Sequence, residues 1–219
     1  MKTISCDSSS IITLSSNCLL WVFDKFDAEF LIPNYVRKEI VDNPLKTRRF
    51  SFEAMRNSLI LNKSLKIVET DDALRDKIIK LSNSLLIHKG KSIEIIHYGE
   101  ADALALAIEK DVPTILVDEK NTRLLIEDQE RLKEVAERRT GKSIEINQEV
   151  RGELKEMLKG MKVIRSSELL AIAVKRGIID WPYPKKELLK SILTSAKYSG
   201  CAISSEEISA IIAEISGEP

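Results

Sequence analysis

The chain has 219 residues, 43% hydrophobic and 31% charged, with 34 basic residues against 34 acidic ones and no net charge. That length holds one sizeable α/β domain, or one domain with an appendage, and the apolar content excludes a disordered or collagen-like chain. A neutral chain has no overall field to draw it onto nucleic acid or an anionic membrane, so any anion it binds must be bound locally.

In chain order, "TISCD" (residues 3–7) predicts a short β-strand ending on an acid, and "SSSIITLSS" a serine-capped helix with an apolar face. "CLLWVFDKF" continues as a second short helix, "AEFLIP" as a strand stopped by Pro33, and "NYVRKEIVDNP" as a helix capped by Asn34 with Pro44 beyond its end. "SFEAMRNSLILN" predicts a helix, "LKIVE" a strand and "DDALRDKIIKLSNSLL" another helix, whereas "IHKGKSIEII" is poorly patterned and is read as a loop or short helix. An apolar helix starting at Gly99 and a buried-type strand, "TILVD" (residues 114–118), follow. After Asn121, "TRLLIEDQERLKEVAERRT" and "NQEVRGELKEMLKG" are charged helical patterns broken at Gly141, and "MKVI" adds one more strand. From "SSELLAIAVKRGIID" onward the pattern is an α-helical tail, interrupted at "WPYP" and "YSGCAISSEE", with Ser204 and Ser205 as caps.

Strands alternating with helices imply right-handed crossovers and a mostly parallel sheet with helices on both faces, a doubly wound α/β structure. The division expected is an α/β domain over residues 1–165 and a helical extension over residues 166–219. Cys6, Cys18 and Cys201 lack CxxC spacing, which argues against a zinc site or a disulfide framework. Residues 1–10 lack the basic start and apolar core of a signal peptide, and no apolar run nears the roughly 18 residues of a membrane span. A cytoplasmic location is expected.

In open α/β sheets, ligands bind beyond the carboxyl ends of the strands. Asp7 and Asp118 each end a predicted strand, Glu39 follows the strand at Pro33, and Glu100 and Asp102 begin the apolar helix. Each acid has a plain alternative. Asp7 caps a helix, Glu39 sits on a solvated face beside Arg37 and Lys38, Glu100 and Asp102 answer a helix dipole, and Asp118 makes a turn. Their joint placement favours a cluster, because the helix over residues 101–108 is apolar all round and its acids stand at the rim of a core. Clustered carboxylates repel one another unless a cation compensates, and hard divalent ions such as magnesium or manganese are the natural partners. Neither histidine is placed as a general base, and no phosphate-binding glycine loop or GxSxG elbow is present. The chemistry then rests on a metal that activates water and steadies a phosphoryl group, as in phosphodiester hydrolysis.

"ISCDSSSIITL", "FLIPNYVRKEIVDNP", "GEADALALA" and "TILVDEKNTR", in this order over residues 1–125, resemble the PIN-domain ribonucleases, especially archaeal and bacterial VapC-like proteins. The tail resembles the C-terminal helices of one VapC-related subgroup. The resemblance implies a three-layer α/β/α sandwich and Mg²⁺- or Mn²⁺-dependent cleavage of single-stranded RNA. It maps the four acids onto Asp7, Glu39, Asp102 and Asp118, with Glu100 as a further ligand or supporting group. Ser9 matches a small polar residue that helps orient metal-associated water, and Glu119 and Thr122 are supporting candidates beside the fourth acid. It also implies a homodimer and an antitoxin protein as partner, and no membrane. The long charged helical insertion, residues 124–159, departs from many relatives and is either a partner-binding surface or a solvated hairpin.

Lys46, Arg48 and Arg49, and the "HKGK" run from His88 to Lys91, are basic groups placed to hold an RNA backbone, or are ordinary charged surface. His97 is read as packed or hydrogen-bonded, and Trp181 and Tyr183 as base-stacking or tail-packing residues. The leading reading is a metal-dependent endoribonuclease, the toxin of a toxin–antitoxin pair, with RNA processing as a variant role. A catalytically silent PIN-like scaffold is one alternative. A phospho-acceptor domain or a phosphatase is another, disfavoured because "CDSSS" lacks an adjacent acidic pair and has Ser9 where Asp-x-Asp would require a second acid.

Overall fold

Short β-rich runs separated by helices assemble in this computed structural model, which describes residues 2–216, into a parallel sheet of five strands. Its members are β1 (Lys2–Cys6), β2 (Ala28–Pro33), β3 (Leu65–Val68), β6 (Thr114–Leu116) and β8 (Lys162–Ile164), in the order β3-β2-β1-β6-β8. β1 is central, with Ser5 in register with Leu31 on one side and Ile115 on the other. The period of two sorts its side chains between two cores. Ile4, Cys6, Phe30, Ile32 and Leu116 enter one apolar cluster, whereas Ile115 and Val117 enter a second and Leu31 meets Leu106 and Ala107.

Helices cover both faces and complete the expected α/β/α sandwich. On the first face lie α1 (Ser8–Ser16), α9 (Ser166–Lys175), α10 (Lys185–Tyr198) and α11 (Ser205–Ser216), sharing one cluster through Ile11, Leu14, Leu170, Leu189 and Ile208. On the second lie α4 (Asp72–Ser82), α5 (Tyr98–Glu109), α6 (Lys120–Glu127), α7 (Gln129–Thr140) and α8 (Gln148–Met157), packed through Ile78, Leu104, Leu125, Leu132 and Leu154. The charged insertion is helical as its pattern predicts. Asp128 separates its first two helices by accepting from Arg131 N at 3.0 Å, and Gly141 ends α7 with φ 66°. Ser204 caps α11 reciprocally with Glu207, at 3.1 and 2.8 Å. No helix among the described residues is long and apolar enough to cross a membrane.

Two local expectations change. The first part of "IHKGKSIEII" is not a loop or short helix but a hairpin of β4 (Leu86–His88) and β5 (Lys91–Ser92), with β7 (Glu145–Ile146) antiparallel to β4, while residues 93–96 are the loop expected. Lys89 and Gly90 turn the hairpin with φ of 49° and 74°, the left-handed pair that suits a two-residue hairpin. Three- and two-residue strands are too short to display alternation, and the partner that steadies them lies beyond the sheet's fourth strand. Asn34 is the first residue of α2 (Asn34–Arg37), not its cap; Pro33 stands before it, and no side chain caps that end. The helix then widens into a single π-turn, Lys38–Asp42, which carries Glu39. Such turns recur at functional positions because they re-aim side chains. α3 (Ser51–Ser58) follows, and its buried Asn57 donates to the Ile40 carbonyl of that turn at 2.8 Å.

Candidate active site

β1 and β6 are adjacent and parallel, so the residues that leave them, Asp7 and Asp118, emerge side by side at the carboxyl edge; Asp7 N donates to Leu116 O at 2.9 Å. Asp7 caps α1. Its Oδ2 accepts from Ser9 N at 3.0 Å and from Ser9 Oγ at 2.5 Å, while Oδ1 is buried without a hydrogen-bond partner. Ser9 Oγ in turn accepts from Asp118 N at 3.0 Å, so one hydroxyl fastens the exits of both strands. Ser9 therefore acts directly on the acids' positions.

Asp102 and Asp118 are each 1% exposed and held at both oxygens. Asp102, one turn into α5, accepts from Tyr35 N at 3.1 Å and Thr70 Oγ1 at 2.5 Å. Asp118 accepts from Ser166 N at 2.7 Å and Ser166 Oγ at 2.6 Å, the first residue of α9. A carboxylate oxygen has two lone pairs, so each keeps one for a further partner. Glu39 and Glu100 are half-buried. Glu39 closes over the start of α5, where a Cβ on Gly99 would fall 2.4 Å from its Oε2. Glu100 accepts from His97 N at 3.0 Å.

The acids sense one another. Burial raises the pKa of Asp7, countered by the hydrogen bonds from Ser9, with Asp118 adding to the rise. Burial also raises Glu39, helped by the charges of Asp7 and Asp102, and raises Glu100 to about 7 with help from Asp7. Asp7 thus acts electrostatically on Glu39 and Glu100 and feels Asp118, while Asp102 acts on Glu39. Such an all-oxygen donor set suits a hard divalent cation in kind, and the unpartnered Asp7 Oδ1 is a free ligand atom. Among the described residues, however, no three His, Cys, Asp or Glu side chains already stand in ligating geometry.

Other predicted residues lie at the margin. Thr122 is buried in α6 with its Oγ1 unpartnered, and half-buried Glu119 occupies the position before that helix without capping it. Neither hydrogen-bonds to an acid. His97 is exposed, with Nδ1 3.2 Å from Glu94, and His88 hydrogen-bonds to Ser143 O in the hairpin region. Trp181 and Tyr183 line a groove beside α10. A cavity of about 1010 Å³ is lined by residues such as Lys2, Glu29, Lys66 and Lys162 and by none of the five candidate acids.

Sequence reasoning missed Tyr35, Thr70 and Ser166, which orient Asp102 and Asp118. Thr70 and Ser166 each stand two residues beyond a strand, at the same carboxyl edge as the acids, which is the signal that marks them.

No curated protein and no solved structure matches the chain. A family model for the PIN domain, a class that generally comprises nucleases, matches residues 3–133, a span that contains all five acids. That is more than half of the 219 residues, and the chain belongs to the PIN-domain family.

Proposed function

We propose that the protein is a metal-dependent endoribonuclease that hydrolyses phosphodiester bonds in single-stranded RNA. The observation that carries this reading is the electrostatic coupling of Glu39, Glu100 and Asp118 to Asp7, whose buried Oδ1 has no hydrogen-bond partner among the described residues. Asp7, Glu39, Glu100, Asp102 and Asp118 would hold Mg²⁺ or Mn²⁺. The chemistry supplied by a bound divalent ion there is water activation at neutral pH and stabilisation of charge on the phosphoryl group. The chain's own part is positional. Ser9 fixes Asp7 and Asp118 together, Thr70 and the Tyr35 amide fix Asp102, and Gly99 leaves room for Glu39. Burial keeps bulk water from screening these charges.

Cleavage of a mixed single-stranded RNA pool tests the reading. Wild type is expected to cut with manganese or magnesium and not with EDTA, and Asp7→Asn is expected to lose at least about 100-fold of the rate while folding normally, since it removes a repelling charge. Metal-independent cutting by Asp7→Asn would end this mechanism. A toxin role, with an antitoxin partner and a homodimer, rests on the resemblance of the four ordered motifs to VapC-like proteins. Growth arrest on expression of wild type but not Asp7→Asn is its expected sign. The alternative is a silent RNA- or protein-binding scaffold. It is favoured by one observation, the capture of both Asp118 oxygens by Ser166. Metal-independent RNA binding without cleavage would support it.

A further inference from the structure

A cleft lined by carboxylates repels a polyanion, so an RNA nuclease needs cations outside the cleft to hold the strand. Residues 45–59 have them. Lys46, Arg48, Arg49 and Arg56 face the single acid Glu53, giving +3 within a chain whose total charge is zero. Lys46, Arg48 and Arg49 are exposed, and among the described residues none of them enters an ion pair. The same segment holds five of the eleven large exposed apolar side chains among the described residues, including Phe50 (47% exposed) and Phe52 (67%). Phe52 and Met55 on α3 and Leu59 at its C-cap recur at i, i+3 and i+7, so this short helix turns an apolar stripe outward while Ala54 and Asn57 turn inward. The Arg49 guanidinium lies 4.9 Å from the Phe50 ring centre, and that of Arg56 5.4 Å from Phe52.

The segment is fastened to two of the elements that carry the acids, at the turn of Glu39 and at the far end of α1. Asn57 holds the Ile40 carbonyl in the turn that carries Glu39, and Arg56 donates to Ser15 O at 2.8 Å in the helix that Asp7 caps. We infer that residues 45–59 are a single-stranded RNA platform, on which bases stack against Phe50 and Phe52 while Lys46, Arg48 and Arg49 take phosphates. This deepens the nuclease reading and rests on it. Charge decides against a second copy of the chain as the occupant: an isologous contact sets like patches face to face, bringing these cations against their own counterparts. A polyanion complements them, and aromatic faces flanked by guanidinium groups suit unpaired bases.

The test is fluorescence anisotropy of a labelled 12-nucleotide single-stranded RNA in EDTA, at several KCl concentrations. Phe50→Ala/Phe52→Ala is expected to weaken binding about tenfold or more. Arg48→Gln/Arg49→Gln is expected to reduce the slope of log affinity on log salt by about 1.4, two phosphates' worth for a single strand. All four side chains are exposed, so the thermal melts of these variants should match wild type. Unchanged affinity and slope in the variants, no binding by wild type, or a wild-type dimer dissolved by Phe52→Ala would each overturn the platform. Phe-dependent binding without any metal-dependent cleavage would instead uphold the platform and overturn the nuclease reading.

Discussion

At Gly99 the absence of one methyl group decides where a carboxylate sits. A Cβ there would meet Glu39 Oε2 at 2.4 Å and its carboxyl carbon at 2.9 Å. Both belong to the end of a flexible side chain, so Gly99→Ala should fold with little change in melting temperature while displacing Glu39. Manganese affinity, read by titration calorimetry, is expected to fall by about 10- to 100-fold, the range for loss of a ligand's positioning. Glu100 makes a different prediction. Burial, then Asp7, raises its pKa to about 7 from 4.5. A folded pKa above the unfolded one means that its contribution to stability is complete below about pH 4.5 and is lost as pH rises through about 7. In EDTA the wild type should lose roughly 1–3 kcal/mol more than Glu100→Gln between pH 4.5 and 8. Thermal melts across that range measure the difference, and parallel curves would contradict the shift.

Among the elements, α9 is bound to the acid edge through its first residue. Removing the Ser166 hydroxyl leaves Asp118 Oδ2 without its 2.6 Å donor in a buried site, at a cost of about 1–3 kcal/mol. Ser166→Ala should therefore melt several degrees lower and cleave RNA more slowly, and a normal melt with normal cleavage would separate α9 from the site. Arg165, immediately before it, ties the start of α9 to α11 through Glu207. Burial opposes its charge, but its bonds to Glu168 and Glu207 outweigh that and hold the guanidinium protonated. The bond from Ser166 to Asp118 shows what the sequence could and could not disclose. Asp7 and Asp118 were legible because each ends its own apolar run, and Asp102 because it interrupts a helix otherwise apolar. Ser166 was not, since it reaches Asp118 only after the insertion has passed and β8 has paired with β6. The hairpin of β4 and β5 escaped notice for the same reason, its stabilising partner β7 being remote. The π-turn at Glu39 has no pattern of its own, because a single widened turn preserves the apolar spacing on either side.

For the whole molecule, the helical tail is continuous with the core beneath the sheet. Leu188, Leu189, Ile192 and Leu193 of α10 and Ile208 and Ile212 of α11 share a cluster with Ile4, Ile11 and Phe30. Deleting residues 178–219 would uncover that cluster, and the shortened chain is expected to bind a hydrophobic dye and to lose near-ultraviolet circular dichroism; a soluble, sharply melting fragment would show the tail to be dispensable. Sheet order adds a matter of timing. β1 is synthesised first, yet its neighbour β6 emerges more than a hundred residues later and the Ser166 clamp later still. At about 5–20 residues per second, roughly 10 to 30 s separate the synthesis of Asp7 from that of Ser166. Until Ser166 has been made, Asp118 lacks the donors that hold both of its oxygens, so the acid edge is among the last parts of the fold to be completed although its first member, Asp7, is among the first residues made.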